Sequence, residues 1–308
     1  MEEAISLCQH HDSITGTEKQ HVADDYHLRL HKGLEKAQLT VLKALLQFLK
    51  NKSVKYGMHL DEKLKMADNW NADFCNLLNI SVCQPTIEAS KSDSGVFHLW
   101  IYNSLTYERN IPIRIPISLD KHSHWQVLAR DGYQIEAQVI PISKATRNVQ
   151  KNETGENFIQ DDKLTNDLVF MAAVPPLGYS LLDVIPKSDI YINQEKDSIL
   201  TLGTDTTISN GILTVTFDSS TGMLVSIGRE GLPPIDISTT LFWYNSSDGL
   251  EAGNVREQSS GAYIFQPNGK YNVVTSHNVK LEIIKGEIVN EARQQFNEWC
   301  FLTTRCDV

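Results

Sequence analysis

The sequence predicts an α+β chain of several domains, a helical bundle followed by antiparallel β domains, and three observations predict it. Apolar residues recur every three or four positions in the first part of the chain. The period shifts to two near Cys83-Gln84-Pro85, and a hairpin signature with Gly222 at its turn opens a later β run. A chain of 308 residues can bury more than one core. The shifts divide it into 1–84, 85–200 and 201–308.

The first informative stretch is Gln9-His10-His11-Asp12-Ser13-Ile14-Thr15-Gly16-Thr17. It is poor core material. Imidazole nitrogen and carboxylate oxygen are both zinc ligands, and the carboxylate can instead accept hydrogen bonds from sugar hydroxyls. The residues alone equally allow a polar loop at a helix start. Thr17-Glu18-Lys19-Gln20 reads as a capping box, with Thr17 as N-cap and Gln20 reaching back. The helix it opens turns Val22 and Tyr26 inward, and Gly33 weakens or bends it. A stronger stripe follows at Leu34, Val41, Leu42, Leu45, Leu46 and Leu49. His21, His27 and His31 lie on this helical sequence without a metal constellation and read as packing or surface residues. Lys50 to Gly57 is a polar link, and a further helix is expected from about Leu60 to Leu78. Two or three such helices with short links bury their stripes against each other.

Beyond Cys83, strands are expected at Val96 to Tyr102, Ile111 to Ile117, Trp125 to Leu128 and Tyr133 to Ile142. The Ile-Pro-Ile-Arg-Ile-Pro-Ile run must be an edge or bulged strand, because proline cannot donate to a central ladder. Ser143 to Lys163 is polar and reads as a long loop. Leu168 to Val174 and Tyr179 to Val184 flank Pro175-Pro176-Leu177-Gly178 and read as a two-strand unit with a rigid corner. Ile208 to Phe217, the turn Asp218 to Gly222 and the return Met223 to Ile227 make the hairpin. Further strands are expected at Thr240 to Tyr244, Ala262 to Phe265, Tyr271 to Thr275 and Val279 to Glu287.

A net charge of -10 discourages binding to nucleic acid or anionic membrane. No apolar run approaches the roughly 20 residues of a membrane span. Met1-Glu2-Glu3 offers neither a basic nor an apolar leader region, so no signal peptide is expected. Acceptor triplets for N-glycosylation nevertheless occur at Asn51, Asn79, Asn152 and Asn245. Five cysteines, Cys8, Cys75, Cys83, Cys300 and Cys306, leave one odd. His59-Leu60-Asp61 and His122-Ser123-His124 have ligand-like spacing, but neither completes a ligand set.

The segment Gln9 to Tyr26 (QHHDSITGTEKQHVADDY) resembles the histidine-bearing motif of the class II α-mannosidases, glycoside hydrolase family 38, in their lysosomal or vacuolar branch. The resemblance resumes at Cys75 to Cys83, Leu241 to Gly249 and Ser260 to Gly269, and so covers most of the chain. It implies a zinc-dependent retaining hydrolase of terminal α-mannosyl residues on glycans. It also implies a helical middle domain, a small β domain and the opening of a large C-terminal β-sandwich, here incomplete. Cys75 and Cys83 would close a short disulfide loop, where the residues alone leave two buried thiols open. Closing it would stabilise by roughly 2 to 3 kcal/mol.

Retaining hydrolysis needs two carboxylates about 5 Å apart, and the family's zinc holds the sugar's hydroxyls. Of the family's four zinc ligands only the second histidine of His-His-Asp has a counterpart, His11. Asp12 would accept from a mannose hydroxyl, and His10 would orient the loop or line the pocket. Tyr263 would reach the same sugar, although its residue pattern alone also allows a buried strand tyrosine. Nucleophile, acid and the other ligands have no counterpart. The N-terminal catalytic domain is therefore expected to be missing, no catalytic residue is assigned, and the isolated chain is expected to be inactive and to hold zinc weakly or not at all. The alternatives are a non-catalytic mannose- or glycan-binding protein, a partner of a complementary mannosidase catalytic domain, or a truncated gene product. The resemblance fades after about Cys300, leaving Phe301 to Val308 as an unaligned tail, and an interrupted sandwich would expose strand edges.

Overall fold

The computed structural model describes residues 1–55, 72–154, 165–187, 199–201, 206–249, 258–273 and 279–307. These form mostly antiparallel β-sheet with few helices. The order begins α1 (Glu2–Cys8), α2 (Gln20–Lys55), a 3-10 turn (Leu78–Ile80), α3 (Gln84–Lys91), β1 (Phe97–Tyr102), β2 (Arg109–Ser118), β3 (Trp125–Ala129), β4 (Gln134–Ile135) and β5 (Ala137–Pro141). It continues with α4 (Lys144–Thr154), β6 (Thr165–Val174), β7 (Tyr179–Pro186), β8 (Ile199–Thr201), β9 (Thr207–Ser209), β10 (Leu213–Phe217) and β11 (Leu224–Arg229). Then come β12 (Ile235–Asp236), β13 (Phe242–Ser246), β14 (Pro267–Asn272), β15 (Lys280–Lys285), β16 (Val289–Gln295) and β17 (Phe301–Asp307). The chain divides into two compact units, residues 1–74 with 243–271, and residues 75–242 with 272–308.

In the first unit α2 runs unbroken through Gly33, where the sequence suggests a bend. A Cβ at Gly33 would lie 3.2 Å from Met1 Sδ and 3.5 Å from Ala4 Cβ. The glycine therefore serves a close approach of α1, whose Ala4 is buried. Leu42, Leu45 and Leu46 are half-buried, while Leu34 and Val41 stay exposed. The helix also extends through the expected link as far as Lys55. The capping box does not form: Gln20 Nε2 donates to Asp24 Oδ1 at 2.9 Å, and the Thr17 hydroxyl is engaged elsewhere. Of the helix expected over Leu60 to Leu78, residues 72–77 are non-helical and the rest, with His59 and Asp61, lies outside the described residues. The first unit is completed by a two-stranded ribbon, β13–β14.

The second unit is a stack of sheets. β1-β7-β3-β4 faces β2-β6-β5 across a core of Ile115, Ile117, Trp125, Val127, Leu168, Phe170, Leu182 and Val184. β2 is an edge strand as its prolines require, with Ile113, Ile115 and Ile117 turned into this core. β6 and β7 do not pair as a two-strand unit. Each joins a different sheet, because their alternate apolar residues face each other across the sandwich. Tyr133 to Ile142 is split in the same way, β4 pairing with β3 and β5 with β6.

The other face of β2-β6-β5 packs on β17-β16-β15-β8 through Ile140, Val169, Ile284, Ile288 and Val289. That sheet's far side packs on β12-β11-β10-β9 through Ile208, Val215, Phe217, Ile283, Ala292 and Cys306. The expected hairpin is β10–β11, and the strand expected from Ile208 to Phe217 is broken into β9 and β10 by a turn at Asn210-Gly211. The polar stretch from Ser143 contains a helix, α4, whose start is capped by Ser143 Oγ accepting from Thr146 N–H at 3.1 Å. Cys75 and Cys83 are joined in a disulfide, and Cys8, Cys300 and Cys306 are free. Phe301 to Asp307, unaligned by sequence, is β17, paired along its length with β16.

Candidate functional site

The site lies in the first unit and is built by two loops. The first follows α1, whose last turn continues through Gln9 N–H to Ser6 C=O at 3.2 Å and His10 N–H to Leu7 C=O at 3.1 Å. The chain then curls back, and Thr17 N–H donates to Asp12 C=O at 2.8 Å. The second loop joins β13 to β14. Ser260 N–H donates to Ser247 C=O at 2.9 Å, and Gly261 and Ile264 exchange N–H to C=O bonds of 3.1 and 3.2 Å. Tyr263 sits at the tip of that exchange and is 75% exposed, on a bend where a strand was expected over Ala262 to Phe265. It is not a buried strand tyrosine.

The two loops meet at one carboxylate. Tyr263 OH donates to Asp12 Oδ1 at 2.5 Å, across 251 positions of sequence. Thr17 Oγ1 donates to the same oxygen at 3.1 Å. The other oxygen, Oδ2, lies 3.1 Å from His10 Nε2 and 3.7 Å from His11 Nε2. The Tyr263 hydroxyl, followed by His10 and Thr17, draws the Asp12 carboxyl down to about 2. Asp12 is therefore an anion at neutral and mildly acidic pH.

His10 and His11 lie with ring centroids 4.4 Å apart, and the His11 side chain is 84% exposed. His10, His11 and Asp12 bring their ligand atoms within 4.8 Å of one another. Imidazole nitrogen and carboxylate oxygen are donors that suit zinc. Asp12 Oδ1 is already occupied by two protein donors, so the cluster offers two imidazoles and Oδ2. Oδ2 and His10 Nε2 already meet at 3.1 Å, which leaves His11, the exposed donor, suited to one position of a four-coordinate zinc shell.

Of the His122-Ser123-His124 pair, His122 has Nε2 3.0 Å from Ser92 C=O and its ring edge-on to Trp125, a packing role. Around Tyr263 the ribbon carries exposed aromatic pairs, Trp243 stacked on Tyr271 at 4.7 Å and Tyr244 edge-on to Phe265 at 5.2 Å. Asn79, Asn152 and Asn245 are exposed, while the side chain of Asn51 lies outside the described residues. Thr17 was legible only as a cap. Its five-residue spacing from Asp12 across Gly16, which takes a φ of 69°, was the available sign of a closed loop.

Residues 1–48 match the family model described as "Alpha mannosidase middle domain", 135–181 "Lysosomal alpha-mannosidase-like, central domain", and 208–307 "Glycosyl hydrolases family 38 C-terminal domain". The last match runs through β17, so the tail that sequence reading left unaligned falls within it. A probable alpha-mannosidase of Arabidopsis thaliana is 34% identical over 96% of this chain and 29% of its own length. An alpha-mannosidase of Canavalia ensiformis is 30% identical over 98% and 30%. A lysosomal alpha-mannosidase of Bos taurus is 29% identical over 99% and 25%. The chain thus spans between a quarter and a third of the length of these relatives.

Proposed function

The chain belongs to glycoside hydrolase family 38, the class II α-mannosidases, and from that premise we propose that it supplies the sugar-facing part of a zinc-dependent retaining α-mannosidase site acting on mannose-containing glycans. The observation that carries this reading is the Tyr263–Asp12 hydrogen bond. It joins the segment matched as middle domain to the segment matched as C-terminal domain at one anionic, surface-accessible carboxylate.

Asp12 Oδ2 accepts a hydroxyl of the terminal mannose, Tyr263 contacts the same sugar, and His10 holds the carboxylate's orientation from the imidazole side. His11 is this chain's zinc ligand. When bound, the ion polarises and orients sugar hydroxyls as the ring distorts toward the oxocarbenium-like state. The cluster holds one carboxylate, whereas retaining hydrolysis needs two about 5 Å apart. The chain alone therefore binds without turning over, and the nucleophile and acid come from a complementary catalytic domain.

The division into a helical middle domain over 1–84, a small β domain over 85–200 and a C-terminal β domain over 201–308 is supported by the order of the three matched segments. The names of the lysosomal relatives support a lysosomal setting, or the vacuolar one of the resembled branch, and glycans on the exposed Asn79, Asn152 and Asn245 are in keeping with it.

The test measures hydrolysis of an aryl α-mannoside, mannose binding by calorimetry and bound zinc on one sample of the chain and on His11→Ala. The expected result is mannose binding without turnover, with any zinc lost in His11→Ala. Turnover abolished by His11→Ala would show that the chain completes the chemistry itself. Absence of mannose binding would remove Asp12 from the site.

A further inference from the structure

We propose that Thr17 is a positioning residue of this site, its hydroxyl fixing the rotation of the Asp12 carboxylate so that Oδ1 takes the Tyr263 and Thr17 donors while Oδ2, which His10 approaches at 3.1 Å, is the oxygen presented to the ligand. The inference rests on the reading of Asp12 as the sugar contact.

Thr15 Oγ1 and Thr17 Oγ1 lie 2.9 Å apart, Thr15 Oγ1 also reaches His11 C=O, and Thr17 Oγ1 reaches Asp12 Oδ1 at 3.1 Å and Asp12 C=O at 3.5 Å. Two hydroxyls have two protons for these four contacts. If Thr15 donates to His11 C=O, the Thr17 proton chooses among a neutral hydroxyl, a carbonyl at 3.5 Å and an anionic carboxylate at 3.1 Å, and the charge-assisted bond wins. If Thr15 donates to Thr17, the Thr17 proton again goes to Asp12. Both assignments put it on Oδ1.

That oxygen also accepts from Tyr263 at 2.5 Å, so two side-chain donors converge on it. Tyr263 reaches Oδ1 from an exposed loop tip, and His10, itself 45% exposed, reaches only Oδ2. Thr17 is held from behind. Its N–H donates to Asp12 C=O at 2.8 Å, which closes the loop through the backbone and sets the hydroxyl on the same side as the carboxylate. The same backbone bond keeps the loop closed when the hydroxyl is removed, which makes the substitution informative.

The experiment uses the chain with its ten tyrosines replaced by 3-fluorotyrosine, taking as the reporter the fluorine resonance that disappears in Tyr263→Phe. Asp12→Asn defines the shift of a Tyr263 hydroxyl that has lost its anionic acceptor. Thr17→Val is expected to move the resonance most of the way to that value and to weaken mannose binding about tenfold. Thr17→Ser, which keeps the hydroxyl, should restore both. Thr15→Val should leave both nearly unchanged, since the proton count gives Asp12 the Thr17 proton with or without Thr15. General loosening of the loop would instead move Thr15→Val as far as Thr17→Val.

An unmoved resonance in Thr17→Val, or equal shifts in the two valine variants, overturns the proposal. If the resonance moves as expected but the unsubstituted chain shows no mannose binding, the hold of Thr17 on Asp12 stands and the sugar reading of Asp12 fails. If mannose binds and Thr17→Val changes nothing, the sugar reading stands and this inference fails.

Discussion

Two buried carboxylates of the second unit show how neighbours, more than burial, decide what an acidic side chain does. Glu291 on β16 is 1% exposed and accepts from Arg114 of β2, from Arg293 Nη2 at 2.8 Å and from Arg305 Nε at 2.9 Å. Burial pushes its carboxyl up, but Arg114, Arg293 and Arg305 together outweigh it and bring the group to about 2. Asp167 on β6 is equally buried and has Arg114 Nη1 at 3.5 Å and the Ser81 hydroxyl at 3.0 Å. For it burial wins, and its carboxyl rises above the ordinary value. A carboxyl lowered on folding contributes stability in full above its unfolded value near 4.5 and loses it as pH falls toward 2; a raised one costs stability when ionised, and acid relieves that cost. Glu291→Gln leaves three arginines without their anion and should destabilise by about 3 to 5 kcal/mol near neutral pH. The gap to the unsubstituted chain should narrow as pH falls from 4.5 toward 2. Asp167→Asn should cost clearly less. Urea unfolding of both variants across that pH range is the check, and equal losses near neutrality would contradict the assignment. None of this was legible in the sequence, where Arg114 is only the odd residue of an Ile-Pro alternation and its acid lies 177 positions away. At the candidate site, by contrast, His10, His11 and Asp12 were legible because they are adjacent, and Tyr263 only because its surrounding motif resembles a known one.

Among elements, strands whose apolar residues alternate declared themselves, as β1, β2, β3, β6 and β7 did. α4 did not, because the side chain it buries is polar: Gln150 is 2% exposed and donates to Ile80 C=O at 2.8 Å and Ser81 C=O at 3.1 Å. A search for apolar periodicity passes over such a helix. Its cap was visible in principle, and Ser143→Ala should cost about 1 kcal/mol with fraying confined to Lys144 to Arg147, measurable by hydrogen exchange. The β10–β11 turn carries a stricter demand. Gly222 has a φ of 69°, and a Cβ there would sit 2.2 Å from the carbonyl oxygen of Val279. Gly231 has a similar φ of 75° with nothing within 4 Å. Gly231→Ala should therefore cost about 1 kcal/mol for the backbone conformation alone, and Gly222→Ala more than about 2 kcal/mol, because the β15 side of the sheet must also give way. Equal losses in thermal unfolding would mean that the close approach to Val279 is absent in solution.

At the scale of the whole molecule, sequence order and compact units do not coincide. Residues 243–271 leave the C-terminal segment to join residues 1–74, and this excursion brings Tyr263 to Asp12. Reading the chain in order could not show it, since a linear division assigns 201–308 to one body. The second unit is built so that the excursion can be left out. β13 and β14 pair with each other, and at the point of departure Val273 N–H donates to Leu241 C=O at 2.9 Å. Val273 and Leu241 also share a small core with Val279, Phe296, Met223 and Cys300. The two ends are therefore already paired as the base of a hairpin. Replacing residues 243–271 by an Asn-Gly turn continues that base with the chemistry a two-residue hairpin requires. The shortened chain should keep the stacked sheets, with amide protection across β15, β16 and β17 and the main thermal transition retained, while mannose binding disappears. Loss of protection in β16 would show that the sheets depend on the excursion for their stability. Retained mannose binding would show that Asp12 works without Tyr263, and the two loops would then be joined by structure alone.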